Sequence, residues 1–414
     1  MDAQTILTII MMFIVVLGIS VCHVSTALAD SVGKEEIIAV ARANNAFAAD
    51  VYRLLKTTPG NLVFSPYSLF TILTMTQAGA QQNTEAQMTK VLHLPFHSSQ
   101  MHQALAAWDK ALRTSPGTQS SYQLYNANAL WSQAGEKLLS EFTVLLQTYY
   151  DAEVTMLDFA QSSQHAIDAI NTWVQERTQG KIPELLDPQA AVQNLSLVLT
   201  NAIYFKGQWQ VPFDPEKTGP APFTLIDGQQ VEVPMMRQTA NVLYGEDEFV
   251  QVLELPYEHS EHVTPLSMFF ILPNDPATFT QCEAKLSADN LEQLFAAMQP
   301  HKVAVSLPRL NVNSSFSLSE MLIALGMTDA FSLPPADFSG ITGGQDIYLS
   351  EVLHKVVLEV NEAGSEAAGA SAVMMSRGLA PTPVFQADHP FWLLIRDNVT
   401  GGILFWGRIL DPRG

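Results

Sequence analysis

The chain has 414 residues, 47% of them hydrophobic and 9% aromatic, enough to bury a large core and to exclude a disordered protein. Its 41 acidic and 21 basic residues give a formal charge of -20, a surface that repels nucleic acid and heparin-type polyanions. No repeat, low-complexity tract or long Pro/Gly/Ser linker divides it, so one large domain is expected over residues 30–414.

The first 29 residues stand apart. An apolar run from Ile6 to Val21, followed by Ala27-Leu28-Ala29 before Asp30, has the form of an export signal, so a secreted, extracellular protein is expected. The usual positively charged start is absent, since Asp2 is the only charged residue there. An uncleaved membrane anchor, or a periplasmic location in a bacterial host, therefore stays open. Removing the segment takes Cys22 away and leaves Cys282 alone, so no internal disulfide is expected.

Apolar positions at helical spacing predict a helix over 35–56, stopped by Pro59-Gly60. Asn61-Leu62-Val63-Phe64 reads as a short strand. Ser65-Pro66 then opens a second helix, with serine as cap and proline in the first turn. Further helices are expected over 101–113 and 165–178. Because the former carries only Lys110 and Arg113 as bases, it offers no polyanion stripe. From about Leu195 the pattern turns to strands: 196–205, 249–257, 266–273, 302–310 and 347–360, then strand, turn and strand between Val384 and Pro412. Helices first and strands later make an α+β domain.

Between two buried elements lies a long loop of small, almost uncharged residues, about 362–384. Read as a strand, it would place Ser365, Ala367, Gly369, Ser371 and Val373 on one face and Glu366 on the other. Nothing on the first face would obstruct insertion into a sheet, where an unpaired charge would cost several kcal/mol. A flexible surface linker is the simpler reading of the same composition.

Hydrolase and metal chemistry find no support. There is no G-x-S-x-G elbow, no H-E-x-x-H, and no Gly-rich phosphate loop, and the histidines of Glu258-His259-Ser260-Glu261-His262 read as solvated. No cofactor and no metal are expected. His354, in an apolar strand, reads as a buried histidine satisfied by its neighbours.

Several separated motifs resemble one family, the serpins. Asn61-Leu62-Val63-Phe64-Ser65-Pro66-Tyr67-Ser68 is similar to its N-x-x-x-S-P-x-S helix start, and Asn201 to Trp209 is similar to its N-x-x-x-F-K-G-x-W turn. Thr178 to Ile182 and Leu307-Pro308-Arg309 also match, as do the hinge from Glu362 to Ala370 and the Phe385 to Phe391 signature.

The resemblance implies three β-sheets, about nine helices and an exposed reactive-centre loop. It implies a monomeric inhibitor that is not an enzyme. A target serine protease would cleave the loop and be trapped as a covalent acyl-enzyme while the loop inserts into the main sheet. Carried over by motif, Ser65, Ser68, Asn201 and His354 would form a polar cluster under the sheet's centre. Trp209 would lie where the loop enters, and Arg309 and Glu362 would pair there. The hinge would comprise Glu362, Gly364, Ser365, Glu366, Ala367, Ala368, Gly369 and Ala370.

Counting from Gly364 places the scissile bond at Gly378-Leu379 by the family's commonest spacing, and at Arg377-Gly378 by the shorter one. Arg377 is preferred, because it is the only base between Lys355 and Arg396 and suits the acidic pocket of a trypsin-like protease. Met374 and Met375 are second choices for chymotrypsin-like or elastase-like enzymes. The alternative function is a non-inhibitory binding or carrier serpin. The unobstructed inner face of the hinge speaks against it.

Overall fold

The computed structural model describes residues 32–113, 122–152, 154–259, 263–364 and 382–413. The expected first helix is α1 (Lys34–Leu55), followed by β1 (Leu62–Phe64) and α2 (Pro66–Gln77). The start of α2 follows from Ser65-Pro66: the Ser65 hydroxyl accepts from the Ser68 N–H at 3.2 Å, and Pro66 occupies a first-turn position that needs no donor. All 12 residues of α2 are buried, as an apolar helix with no polar face requires. Around it lie α3 (Gln82–Val91), α4 (Ser98–Leu112), α5 (Ser140–Tyr150) and α6 (Ser163–Arg177). The second half adds α7 (Phe279–Lys285), α8 (Ala288–Ala296), α9 (Ser319–Leu325) and α10 (Ser339–Thr342), ten helices among the described residues.

Strands β2 (Tyr122–Gln133), β3 (Val154–Leu157), β4 (Leu197–Gly207), β10 (Leu310–Ser317) and β11 (Leu349–Val360) form a five-stranded sheet in the order β10-β11-β4-β2-β3. The second network has nine strands. They are β1, β5 (Gly219–Thr224), β6 (Gln230–Glu246), β7 (Val250–Pro256), β8 (Leu266–Pro273), β9 (Gln299–Pro308), β12 (Val384–Gln386), β13 (Phe391–Asp397) and β14 (Ile403–Ile409). Strand β6 pairs with β9 from Met235 to Tyr244 but with β7 only over Tyr244 to Glu246, so the nine strands divide into two portions joined through β6. Together with the five-stranded sheet these make up the three sheets that the serpin resemblance implies, in an α+β domain.

Two sequence readings change. The strand expected over 302–310 is divided between two partners: the Arg309 N–H still donates in register to the Pro234 carbonyl of β6 at 3.0 Å, but from Leu310 the chain pairs with β11, so β9 and β10 enter different sheets. Strand β2 falls in the half read as helical. Its alternation is obscured because Asn126 and Asn128 stand where apolar residues would announce a buried face.

The five-stranded sheet is covered on both sides. Val198, Ala202 and Tyr204 of β4 pack with Ile167, Ile170 and Val174 of α6 in a small satellite core, while Leu199, Ile203 and Phe205 join the main core. At its centre β4 and β11 run parallel, Leu197–Phe205 against Leu349–Leu358. Among the described residues no helix is long and apolar enough to cross a membrane.

Candidate functional site

Two places in the five-stranded sheet gather the residues singled out by sequence. The first is a polar row across its middle. Asn201 is the register partner of both Asn128 on β2 and His354 on β11, and Phe316 on β10 is the partner of His354. Odd-numbered positions of β4 face the main core, so Asn201 points toward the buried α2 rather than outward.

Ser65 and Ser68 meet this row from below. The Ser65 N–H donates to His354 Nε2 at 2.9 Å, which leaves the ring proton on Nδ1 to be donated to Asn201 Oδ1. The Asn201 amide group donates to Ser68 Oγ and to Asn128 Oδ1, and Ser68 Oγ donates to Asn126 Oδ1. Ser65 Oγ closes the network by donating to the Leu404 carbonyl at 2.6 Å. His354 is fully buried, and burial pushes its pKa down to about 3, only partly opposed by Asn201; the ring is neutral. A chain of mutually satisfied buried hydrogen bonds holds β2, β4, β11 and α2 in one arrangement.

The second place is the end of β11, six residues beyond His354 and therefore roughly 20 Å along the strand. Trp209, 2% exposed, clamps the chain there: its N–H donates to the Ala363 carbonyl and its indole N–H to the Asn361 carbonyl, both at 3.0 Å, and its ring stacks on Tyr257 at 4.6 Å. Arg309 grips Glu362 with Nε 2.8 and 3.0 Å from the two carboxylate oxygens and Nη2 2.6 Å from Oε1. Thr218 adds a hydroxyl donor at 2.6 Å. Partial burial pushes the Glu362 carboxyl up, but the bonds from Arg309 and Thr218 outweigh it and hold its pKa below the usual value.

Gly364 closes the turn that follows β11, at φ +95° and with its N–H donating to the Asn361 carbonyl at 3.1 Å. A Cβ here would lie 2.4 Å from the Gly207 carbonyl oxygen and 2.6 Å from the Trp209 nitrogen, so only glycine fits.

Ser65, Ser68, Asn201 and His354 are thus in one cluster, and Trp209, Arg309, Glu362 and Gly364 in another. Sequence reading missed Asn126, Asn128, Thr218, Tyr257 and Asn361; the signal available was the shared strand face of Asn126 and Asn128. Ser365, Glu366, Ala367, Ala368, Gly369 and Ala370 lie outside the described residues, as do Met374, Met375, Arg377, Gly378, Leu379 and the expected signal segment 1–29. Among the described residues no group of three His, Cys, Asp or Glu side chains is placed to hold a metal ion.

The family described as Serpin (serine protease inhibitor) matches residues 42–412. A leukocyte elastase inhibitor of Xenopus tropicalis is 39% identical over 378 residues, covering 88% of this chain and 97% of that protein. Serpin B6 of Macaca fascicularis is 38% identical over 383 residues, covering 90% and 99%. An Arabidopsis serpin solved in its native stressed conformation superposes with a TM-score of 0.81 at 28% identity, over 92% of this chain and 99% of that one. The chain belongs to the serpin family, whose members inhibit proteases rather than catalyse a reaction.

These relatives overturn one expectation. The leader-like start pointed to a secreted, extracellular protein, but the leukocyte elastase inhibitor and serpin B6 relatives are intracellular serpins, and the extracellular assignment is withdrawn. An apolar run with a small-residue end is a generic pattern, and this one lacked the positive start that gives an export signal its direction.

Proposed function

We propose that residues 30–414 form one inhibitory domain that traps a serine protease as a suicide substrate, with the loop from Glu362 to about residue 384 as bait. The observation that carries this reading is the parallel pairing of β4 and β11 directly behind the hinge. A strand folding back from Gly364 would run antiparallel to both neighbours and gain hydrogen bonds on each side. About a dozen such residues, at a net ~1 kcal/mol per bond, release on the order of ten kcal/mol. That is enough to oppose deforming a bound enzyme, provided the closed sheet is held in place until cleavage. The polar row and the clamp at the hinge suit that holding role.

The favoured bait bond is Arg377-Gly378, with Gly378-Leu379 as the other register. A guanidinium at the first position suits trypsin-like proteases. In the trapping step the protease serine attacks the Arg377 carbonyl and forms an ester, and the amine of Gly378 leaves with the C-terminal peptide. A second reading has a specific support: relatives named for leukocyte elastase inhibition favour an elastase-like target, for which Met374 or Met375 would be the first-position residue.

The test is to mix the protein with trypsin and, separately, with elastase, then run a denaturing gel with mass analysis of the freed peptide. A band heavier than either partner, with a peptide beginning at Gly378, supports trapping at Arg377. Cleavage by both enzymes without such a band supports a non-inhibitory binding or carrier protein.

A further inference from the structure

Strand β3 covers only part of the outer edge of β2. It pairs with β2 from Leu130 to Gln133, where the ladder begins, and among the described residues the main chain of Gln123 to Asn128 pairs only with β4. Its outward N–H and C=O groups therefore have no strand partner among the described residues. Proteins commonly blunt such edges with charge or proline, yet the stretch from Tyr122 to Ala129 contains neither. A cleft of about 290 Å³ runs against it. Asn126 to Ala129 form its floor, Gln147 and Tyr150 of α5 one wall, and Trp173 and Arg177 of α6 the other.

We infer that this edge binds a short extended peptide carrying one acidic side chain, which adds to β2 as a strand. Main-chain pairing supplies the affinity in this mode, and side-chain pockets the selectivity. Arg177 is the acid's partner. It is exposed, lies over the Trp173 ring at 5.6 Å, and has no ion pair among the described residues. Arg113, at the mouth of the cleft, is already engaged by Asp109 and Asp151. The overall charge of -20 repels a run of acids, so a single one fits best. The face of Trp173 receives an apolar neighbour.

Binding here reaches the sheet's centre, because Asn126 and Asn128 on the same strand hold Ser68 and Asn201. A peptide tying β2 to α6 would resist movement of β2 and β4 away from β11 and slow trapping. This consequence rests on the inhibitory reading; the binding does not.

The experiment uses the full chain, the blocked peptide acetyl-Thr-Val-Glu-Val-Thr-amide, and the same peptide N-methylated at alternate residues. Amide hydrogen exchange is followed with each at millimolar concentration. Expected are slowed exchange confined to Gln123–Ala129 and its neighbours, no effect from the N-methylated peptide, and about tenfold weaker binding by Arg177→Glu. Unchanged exchange over Gln123–Ala129, or equal binding of the N-methylated peptide, would overturn the proposal. Trapping of trypsin or elastase by the same preparation without peptide tests the inhibitory reading separately.

Discussion

Asn201 and His354 face each other across the parallel pair β4 and β11, joined by a hydrogen bond from His354 Nδ1 to Asn201 Oδ1. The bond spans the seam that the proposed loop insertion would open, so a buried polar contact lies where the sheet would have to separate. On the other side of the ring, Nε2 is occupied by the Ser65 N–H.

Replacing His354 with Leu leaves both the Ser65 N–H and Asn201 Oδ1 buried without a partner. Each such group costs about 1–3 kcal/mol. Denaturant unfolding of His354→Leu should show a loss within that range or somewhat above it, while a change below ~0.5 kcal/mol would mean that the row contributes little.

The same residue sets a pH dependence. His354 at about 3 and buried His102 at about 4 are both neutral in the fold, against an ordinary value of 6.5. Burial is the main cause for each, and the neighbours of His102 are the Tyr150 hydroxyl and the Tyr149 ring. The unfolded chain takes up these protons more readily, so stability is complete above about pH 6.5 and falls as the solution is acidified. At pH 5 each ring should have lost about 2 kcal/mol. Glu362, held below its usual value, adds a loss of the same sign at lower pH. Urea midpoints measured between pH 8 and pH 4.5 should decline accordingly; a flat profile would contradict it.

Gly364→Ala places a Cβ against main-chain atoms of Gly207 and Trp209 at a positive φ. The chain must shift and break the clamp at Trp209, for a loss exceeding about 1 kcal/mol. Tryptophan fluorescence during unfolding should show this as a lower midpoint with an altered signal from Trp209.

Ser365→Arg should convert the inhibitor into a substrate, because a charge at the first inserting position slows insertion while leaving the bait bond open to attack. The measurement is the ratio of cleaved to trapped inhibitor on a denaturing gel. Unchanged trapping by the variant would remove the insertion mechanism.

Much of the fold was legible because its signals are local. The cap at Ser65, the apolar runs of β8 and β11 and the stop before Pro59 depend on neighbours in sequence. The change of sheet after Arg309 and the strand β2 depend on distant partners: β6 pairs with the chain as far as Arg309 and β11 takes over from Leu310, and β2 is a strand because β4 pairs along its length. The roles of Ser65, Ser68, Asn201 and His354 came from motif resemblance alone. In isolation each reads as an ordinary core residue, and the row appears only when three strands are set in register.

The measurement closest to the central claim is the melting temperature of the protein before and after cleavage in the loop by a protease that is then removed. The proposed insertion between β4 and β11 would add on the order of ten kcal/mol, which for a chain of this size predicts a rise on the order of ten degrees or more. A cleaved form that melts at or below the temperature of the intact protein would show that the sheet does not take up its loop.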